Sequence, residues 1–205
     1  MSRLSDVSAP PAFGPTVACL AGAQLVAWAA LYYTFSAFVL PMHDTFGWSR
    51  PSIMGAFTLG LAVWGAASYG AGALIDRGHG RAVMAGGTFI AGLGFLLWSV
   101  VGSLPVLYLA WALLGAAMAM TLYEPAFSVV TRRFPTRYGS AITWLTLVGG
   151  FASTVSFPVT LWLIGDFGWR VALAVPGYRE LLLMLAAMVG LAWIAFAMAG
   201  DPARA

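Results

Sequence analysis

Ten residues from Gly72 to Arg81, GALIDRGHGR, bring together much of the chemistry in a chain of which only 8% is charged. They include one carboxylate, Asp76, and two guanidinium groups, Arg77 and Arg81, among three glycines. A carboxylate can cap a helix N-terminus, where it meets unpaired amides and the positive end of the helix dipole. Guanidinium groups can pair with acidic side chains or anionic headgroups. The spacing therefore predicts an ion-pairing turn, with glycines that permit a tight backbone.

A second candidate is Glu124, the one carboxylate that lies well inside an apolar segment. At membrane depth an unpaired carboxylate costs about 3 kcal/mol or more, so such a residue is a functional candidate by default. Two interpretations stay open at this point. Glu124 can form a structural ion pair with Arg77 or Arg81, or it can take part in proton coupling or in contact with a solute.

Polar and aromatic side chains in three apolar segments form a third set of candidates. Buried tyrosine hydroxyls need hydrogen-bond partners, which either a helix bundle or a bound solute can supply. Packing within the bundle and lining of a solute cavity therefore both remain open for each of these side chains. The set comprises Gln24, Tyr32, Tyr33, Tyr123, Thr143, Trp144 and Thr146.

The segments that must position these residues are apolar. At 61% hydrophobic residues, the chain is too poor in charge for a soluble domain, in which about 25% of residues are charged. Lipid offers the backbone no hydrogen bonds, so each segment must be a helix or part of a closed barrel. The apolar runs are continuous and lack the alternation of polar and apolar residues that barrel strands show, which favours helices. The predicted fold is therefore all-α, a polytopic membrane protein with six transmembrane helices of roughly 20 residues each. They lie near Val17–Leu40, Ser52–Leu74, Ala82–Val101, Val106–Val130, Ser140–Ile164 and Leu181–Ala199.

The arginines predict the orientation in the membrane. One side would carry seven of them, namely Arg3, Arg77, Arg81, Arg132, Arg133, Arg137 and Arg204. The other side would carry Arg50, Arg170 and Arg179. The positive-inside rule then places both termini in the cytoplasm.

This topology gives a simple domain organisation. We predict a cytoplasmic tail over residues 1–16, a six-helix bundle over 17–199 and a second cytoplasmic tail over 200–205. Small residues at four-residue spacing predict close helix packing faces. These pairs are Ala56/Gly60, Ser68/Gly72, Gly87/Ala91, Gly115/Ala119 and Gly149/Ser153.

A short phrase occurs twice on the predicted outer side. Asp44-Thr-Phe-Gly-Trp48 follows the first apolar segment, and Asp166-Phe-Gly-Trp169 follows the fifth. Tryptophan is favoured at the headgroup level, so the phrase predicts an interfacial anchor. Because both copies follow odd-numbered segments, they support the same topology.

These features together resemble the N-terminal six-helix half of a major facilitator superfamily transporter. The loop matches the signature Gly-x-Leu-x-Asp-Arg-x-x-x-Arg of that superfamily at Gly72, Leu74, Asp76, Arg77 and Arg81. The Phe-Gly-Trp-Ser-Arg50 phrase, the stretch from Arg133 to Ala141 and Gly-Trp-Arg170 are similar to the monocarboxylate-transporter-like branch. The resemblance covers roughly residues 17–175.

The resemblance implies membrane transport by alternating access between two six-helix halves that enclose a solute at their interface. The signature loop would latch the halves together on the cytoplasmic side; the alternative is a plain topology turn. The implied partners are the lipid bilayer, a small organic solute such as an organic acid, and a second six-helix unit, from a homodimer or a separate half. Arginine as the sole cationic side chain, with abundant alanine and glycine, points to the inner (plasma) membrane of a bacterium.

Other functions find less support in the sequence. We find no Walker-type glycine loop, zinc-ligand spacing or nucleophile elbow, so neither an enzyme nor a cofactor or metal is predicted. The excess of arginine is explained by membrane faces rather than by nucleic acid. Val175-Pro-Gly-Tyr-Arg-Glu180 interrupts the family pattern, and we hypothesise a deletion or frame join near Val175. The alternatives to transport are a membrane scaffold or assembly subunit and a truncated transporter remnant.

Overall fold

The computed structural model describes residues 13–169, apart from the side chain of Arg81. The predicted sixth helix, Leu181–Ala199, the C-terminal tail and the junction near Val175 lie outside the described residues. Most of the predicted N-terminal tail lies outside them as well. The first helix begins at Phe13, four residues before the predicted boundary of the bundle.

The described residues are almost wholly helical. The helices are α1 Phe13–Trp28, α2 Thr34–Phe46, α3 Arg50–Leu74, α4 Gly80–Ser99, α5 Leu104–Thr121, α6 Tyr123–Arg133, α7 Tyr138–Gly150 and α8 Ala152–Phe167. Two short π-helical segments, Ala29–Tyr33 and Ile75–His79, join α1 to α2 and α3 to α4.

These helices combine into five units that are long and apolar enough to cross a membrane. Spans 1 to 5 are Phe13–Phe46, Arg50–His79, Ala82–Ser99, Leu104–Arg133 and Tyr138–Phe167. They confirm the all-α fold class and the positions of the first five predicted helices. Spans 1, 4 and 5 are each built from two helices, an irregularity that the hydropathy of the sequence does not report.

Close packing of small residues holds spans 2, 3 and 4 together. A Cβ atom at Gly60 would lie 2.9 Å from the backbone oxygen of Trp111, so only glycine fits at this crossing of α3 and α5. Gly115 meets the backbone of Gly60 from the other side. Ala56 in α3 and Ala91 in α4 are fully buried in the same core. The predicted pairs Ala56/Gly60, Gly87/Ala91 and Gly115/Ala119 are therefore confirmed as packing faces. The predicted pair Ser68/Gly72 is not, because a Cβ atom at Gly72 would meet no described atom within 4 Å.

Aromatic rings fill the interior between spans 1, 3 and 4. Trp111 lies edge-on to Phe35 and Trp98, with ring centroids 4.5 and 5.2 Å apart. The indole N–H of Trp98 donates to the sulfur of Met42 at 3.5 Å. Each such ring pair contributes about 1 kcal/mol beyond the apolar area that it buries, so span 1 is firmly fixed to spans 3 and 4.

The two copies of the repeated phrase lie next to each other in the structure. Gly47 and Gly168 both take positive φ values, 67° and 73°, and each ends a helix. Phe46 stacks on Trp48 at 4.2 Å and meets Trp169 edge-on at 5.8 Å. The indole N–H of Trp169 donates to the hydroxyl of Thr45 at 2.7 Å. The phrases therefore join the C-terminal ends of spans 1 and 5, and their role as an interfacial anchor stays a prediction.

Candidate functional site

The site is built around an irregular turn in span 1. In the π-helical segment Ala29–Tyr33, the N–H of Thr34 bonds to the carbonyl of Ala29. The same carbonyl also accepts from the hydroxyl of Thr34 at 2.8 Å and from that of Ser156 in span 5 at 3.0 Å. Short π-helical insertions occur often at functional sites. Here a neighbouring span stabilises the insertion directly.

Six half-buried rings surround this turn and form what we call the aromatic cluster: Trp28, Tyr32, Tyr33, Phe57, Trp64 and Tyr123. Trp28 is at its centre, with ring centroids 4.9 Å from Tyr123, 5.4 Å from Tyr32 and 5.8 Å from Trp64. Tyr32 also meets Phe57 at 5.5 Å. The cluster thus draws on spans 1, 2 and 4.

Three of the predicted cavity residues, Tyr32, Tyr33 and Tyr123, belong to the aromatic cluster, whereas Trp28, Phe57 and Trp64 were not predicted. A signal for the two tryptophans was present in the sequence. Tryptophan in membrane proteins is enriched at the two interfaces. Trp28 and Trp64 instead lie in the middle of long apolar segments, a placement that marks them as candidates.

Span 4 is broken beside this cluster. Leu122 leaves helical geometry at φ −77° and ψ −153°, between α5 and α6. Pro125 has no N–H, so the carbonyl of Thr121, four residues earlier, loses its helical donor. The side-chain amide of Gln24 donates to the carbonyls of Thr121 and Leu122 instead, at 3.0 and 3.4 Å.

Gln24 itself is buried, with 1% of its surface exposed. Its side-chain oxygen has no hydrogen-bond partner among the described residues. In this structure Gln24 contacts the interior of span 4, and its predicted contact with a solute stays a prediction.

Glu124 lies in the first turn of α6 and is exposed. It forms no ion pair with any described side chain, and the side chain of Arg81 is outside the described set. Both interpretations of Glu124 therefore stay open as predictions.

The signature loop bends at one of its three glycines, since Gly72 and Gly80 take helical geometry. Gly78 takes a φ of 87°, which a residue with a side chain rarely adopts. Asp76 pairs with Arg132 at the C-terminal end of span 4, with 2.7 Å between the carboxylate and guanidinium atoms. Gly72 is half-buried, whereas Leu74 and Arg77 are exposed. The backbone of Arg81 continues into α4.

The partner of Asp76 was not predicted from the sequence. The signal was the Arg132-Arg133 pair, which the predicted topology places on the same side of the membrane as the loop. Both side chains are largely exposed, at 75% for Asp76 and 48% for Arg132. Ion pairs with this exposure contribute about 0–1 kcal/mol to the free energy of unfolding. This pair therefore orients the loop more than it stabilises the fold.

The three candidates in span 5 are exposed on α7. The hydroxyls of Thr143 and Thr146 donate to carbonyls of their own helix at 2.9 Å. Trp144 lines an apolar groove of about 440 Å³ together with Phe13 and Val17 at the start of span 1. None of the aromatic cluster lines that groove, so the structure separates Trp144 from the predicted tyrosines.

Comparison with known proteins identifies a family and several relatives that the chain resembles in sequence. The family model described as Major Facilitator Superfamily matches residues 20–203. Monocarboxylate transporter 11 of Homo sapiens is 34% identical over 119 residues, which are 58% of this chain and 25% of the human protein. Monocarboxylate transporter 13 of Rattus norvegicus is 36% identical over 118 residues, 57% of this chain and 27% of the rat protein.

A bacterial relative is similar at a lower level. The oxalate:formate antiporter of Oxalobacter formigenes is 29% identical over 110 residues, which are 53% of this chain and 26% of that protein. In each case the chain spans about a quarter of the length of the relative that it matches.

Proposed function

The chain belongs to the major facilitator superfamily and resembles its monocarboxylate-transporter-like branch, and from this premise we propose that it takes part in the transport of a small organic solute. It would act as one six-helix unit of a secondary transporter. The observation that carries the proposal is the coincidence of the π-helical turn in span 1, the break in span 4 and the aromatic cluster. Transporter sites are commonly formed where membrane helices are discontinuous.

We propose an organic anion as the class of solute. Monocarboxylate, oxalate and formate appear in the names of the relatives. The indole N–H groups of Trp28 and Trp64 are buried and have no hydrogen-bond partner among the described residues, so a solute would reach them only after the surrounding spans separate. Two unused donors in an aromatic surrounding suit a solute rich in acceptor oxygens, such as a carboxylate. None of the six rings carries a positive charge, so a cation from a second unit would complete the site.

Alternating access would require that second unit, from another copy of the chain or from a separate half. In the most apolar stretches of spans 2 and 5, 17% and 22% of residues are buried, against 56% in span 4. These open faces offer surface for a partner unit. The signature loop would act as the latch between units, because Arg77 is exposed and Asp76 is tied to span 4.

The integral membrane location is supported by the five apolar spans, and we propose a bacterial inner membrane with both termini in the cytoplasm. The ion pair between Asp76 and Arg132 supports this orientation, because it brings two arginine-rich turns to the same side.

The mass of the detergent-solubilised assembly, measured by native mass spectrometry, is the first test. We expect a dimer of the 21.6 kDa chain. Counterflow of radiolabelled oxalate and formate into proteoliposomes that contain this assembly is the second test. A monomer without counterflow would contradict transport by this chain alone and favour the scaffold or remnant alternatives.

Matched tryptophan variants make the test specific to the aromatic cluster. We expect Trp64→Leu to reduce counterflow strongly because it removes a ring and a donor from the cluster. Trp162→Leu is the control, since Trp162 is 58% exposed on span 5 and meets only Phe167 among the described aromatic rings. Equal counterflow by the two variants would contradict this placement of the site.

A further inference from the structure

The break in span 4 leaves backbone groups that something must satisfy. Pro125 lacks an N–H, so the carbonyl of Thr121 has no donor in its own helix. The surroundings are apolar, and Leu122 and Ala126 are fully buried. An unsatisfied carbonyl in such surroundings is unfavourable because no water replaces the missing donor.

Gln24 supplies the missing donor from another span. Its amide nitrogen is 3.0 Å from the Thr121 carbonyl, across 97 residues of sequence. It also lies 3.4 Å from the carbonyl of Leu122, the residue that departs from helical geometry. Since Gln24 is 1% exposed, the bond is made inside the bundle.

Glycines in the neighbouring spans 3 and 5 pack closely against the same break. A Cβ atom at Gly87 in span 3 would lie 2.8 Å from the side-chain methyl of Thr121. A Cβ atom at Gly149 in span 5 would overlap the hydroxyl of Tyr123. Spans 1, 3 and 5 thus meet span 4 within three residues of each other along the chain. This convergence indicates that contacts from three neighbouring spans fix the direction of α6.

The direction of α6 decides what faces the candidate site. Tyr123 is its first residue, and the Tyr123 ring packs on Trp28 at 4.9 Å. Glu124 follows and is exposed. The inner end of α6 carries Arg132, which pairs with Asp76. A change in this direction would therefore move the aromatic cluster and the signature loop together.

We propose that Gln24 is a positioning residue: its amide replaces the hydrogen bond that Pro125 removes and so fixes α6, with Tyr123 and Glu124, against the aromatic cluster. Its effect on solute binding rests on the proposed function, whereas its effect on the direction of α6 does not. Gln24 would thereby act on the site through span 4.

The direction of α6 can be measured as a distance between two spin labels. We would place them at Leu109→Cys in α5 and Thr131→Cys in α6, both exposed positions, with the single native cysteine replaced by Cys19→Ser. A straight helix would separate these positions by about 33 Å. We expect one narrow distance distribution for the otherwise unchanged chain and a broadened or shifted one for Gln24→Leu.

Thr16→Val is the matched control for the loss of a polar group. Thr16 is fully buried in the same span, and its hydroxyl has no partner among the described residues. We expect this variant to leave the distance distribution unchanged. A distribution for Gln24→Leu that is as narrow as that of Thr16→Val and has the same centre would overturn the proposal.

Pro125→Ala provides a rescue that a general packing role would not show. This substitution supplies an N–H at residue 125, which can bond to the Thr121 carbonyl once Leu122 adopts helical geometry, and the amide of Gln24 is then no longer needed there. We expect Gln24→Leu combined with Pro125→Ala to give a narrow distribution, even if Gln24→Leu alone fails to fold. A broad distribution or misfolding of the double variant, when Pro125→Ala alone folds, would equally overturn the proposal. Absence of oxalate or formate counterflow by the unchanged chain would defeat the proposed function and leave these distances interpretable.

Discussion

At the scale of single residues, the absence of a side chain at Gly149 leaves room for the ring of Tyr123. The ring of Tyr123 lies against it, and a Cβ atom there would overlap the Tyr123 hydroxyl. We expect Gly149→Ala to lower the free energy of unfolding by about 1–3 kcal/mol, the usual cost of adding a methyl group to a packed site. Thermal unfolding in detergent micelles measures this change.

Gly150 is the matched control for that substitution. It is exposed on the same helix, and no atom lies within 4 Å of a Cβ placed there. Gly150→Ala should therefore retain or slightly raise stability, since alanine favours helix over glycine. Similar unfolding temperatures for the two variants would show that the Tyr123 contact does not constrain this position.

Glu124 poses a second question at this scale. Because Glu124 is exposed and forms no ion pair with a described side chain, we expect Glu124→Gln to fold as the unchanged chain does. If Glu124 couples transport to protons, the variant should lose the pH dependence of oxalate counterflow. Unfolding of the variant would instead favour the structural ion pair with Arg81, whose side chain is outside the described set.

At the scale of elements, the irregular turn in span 1 depends on span 5. The Ala29 carbonyl accepts side-chain bonds from Thr34 and Ser156 in addition to its backbone donor. We expect Ser156→Ala to destabilise the chain by about 0.5–1.5 kcal/mol, the net contribution of one hydrogen bond. Combination with Thr34→Val should cost more than either change alone, because the carbonyl then keeps only its backbone donor.

Denaturant unfolding of the single and double variants measures these costs. Ser140→Ala is a suitable control, since Ser140 is exposed near the start of α7 in the same span. A double variant as stable as Ser140→Ala would show that the side-chain donors do not support the turn.

At the scale of the whole molecule, the signature loop links three elements. The pair between Asp76 and Arg132 joins the turn between spans 2 and 3 to the C-terminal end of span 4. Because the pair is exposed, we expect Asp76→Asn to change the free energy of unfolding by less than about 1 kcal/mol. If the loop is a latch between units, the same variant should alter the rate of counterflow markedly.

Unfolding and counterflow measured on the same preparation separate these two roles. Arg133→Gln is the control, because Arg133 is the neighbour of Arg132 and forms no ion pair with a described side chain. Unchanged counterflow for Asp76→Asn would leave the loop as a topology turn, the alternative interpretation of its charges.

The sequence by itself determined the class of fold, the first five spans and the family. In lipid each span must satisfy its backbone hydrogen bonds internally, so an apolar run of sufficient length predicts a helix without knowledge of its neighbours. The signature loop is similarly local, since its glycines and charges lie within ten residues. The small-residue faces on α3, α4 and α5 were also predictable, because four-residue spacing places such residues on one side of a helix.

Only the tertiary structure decided which side chains meet. Asp76 and its partner Arg132 are separated by 56 residues, and Gln24 and the carbonyl that it supports are separated by 97. Gln24 and Tyr32 looked alike in the sequence as polar groups in one apolar segment, yet one bonds to a neighbouring span and the other belongs to an aromatic cluster. The reason is physical: hydropathy acts along each span separately, whereas the partner of a polar group depends on how the spans cross and where they break.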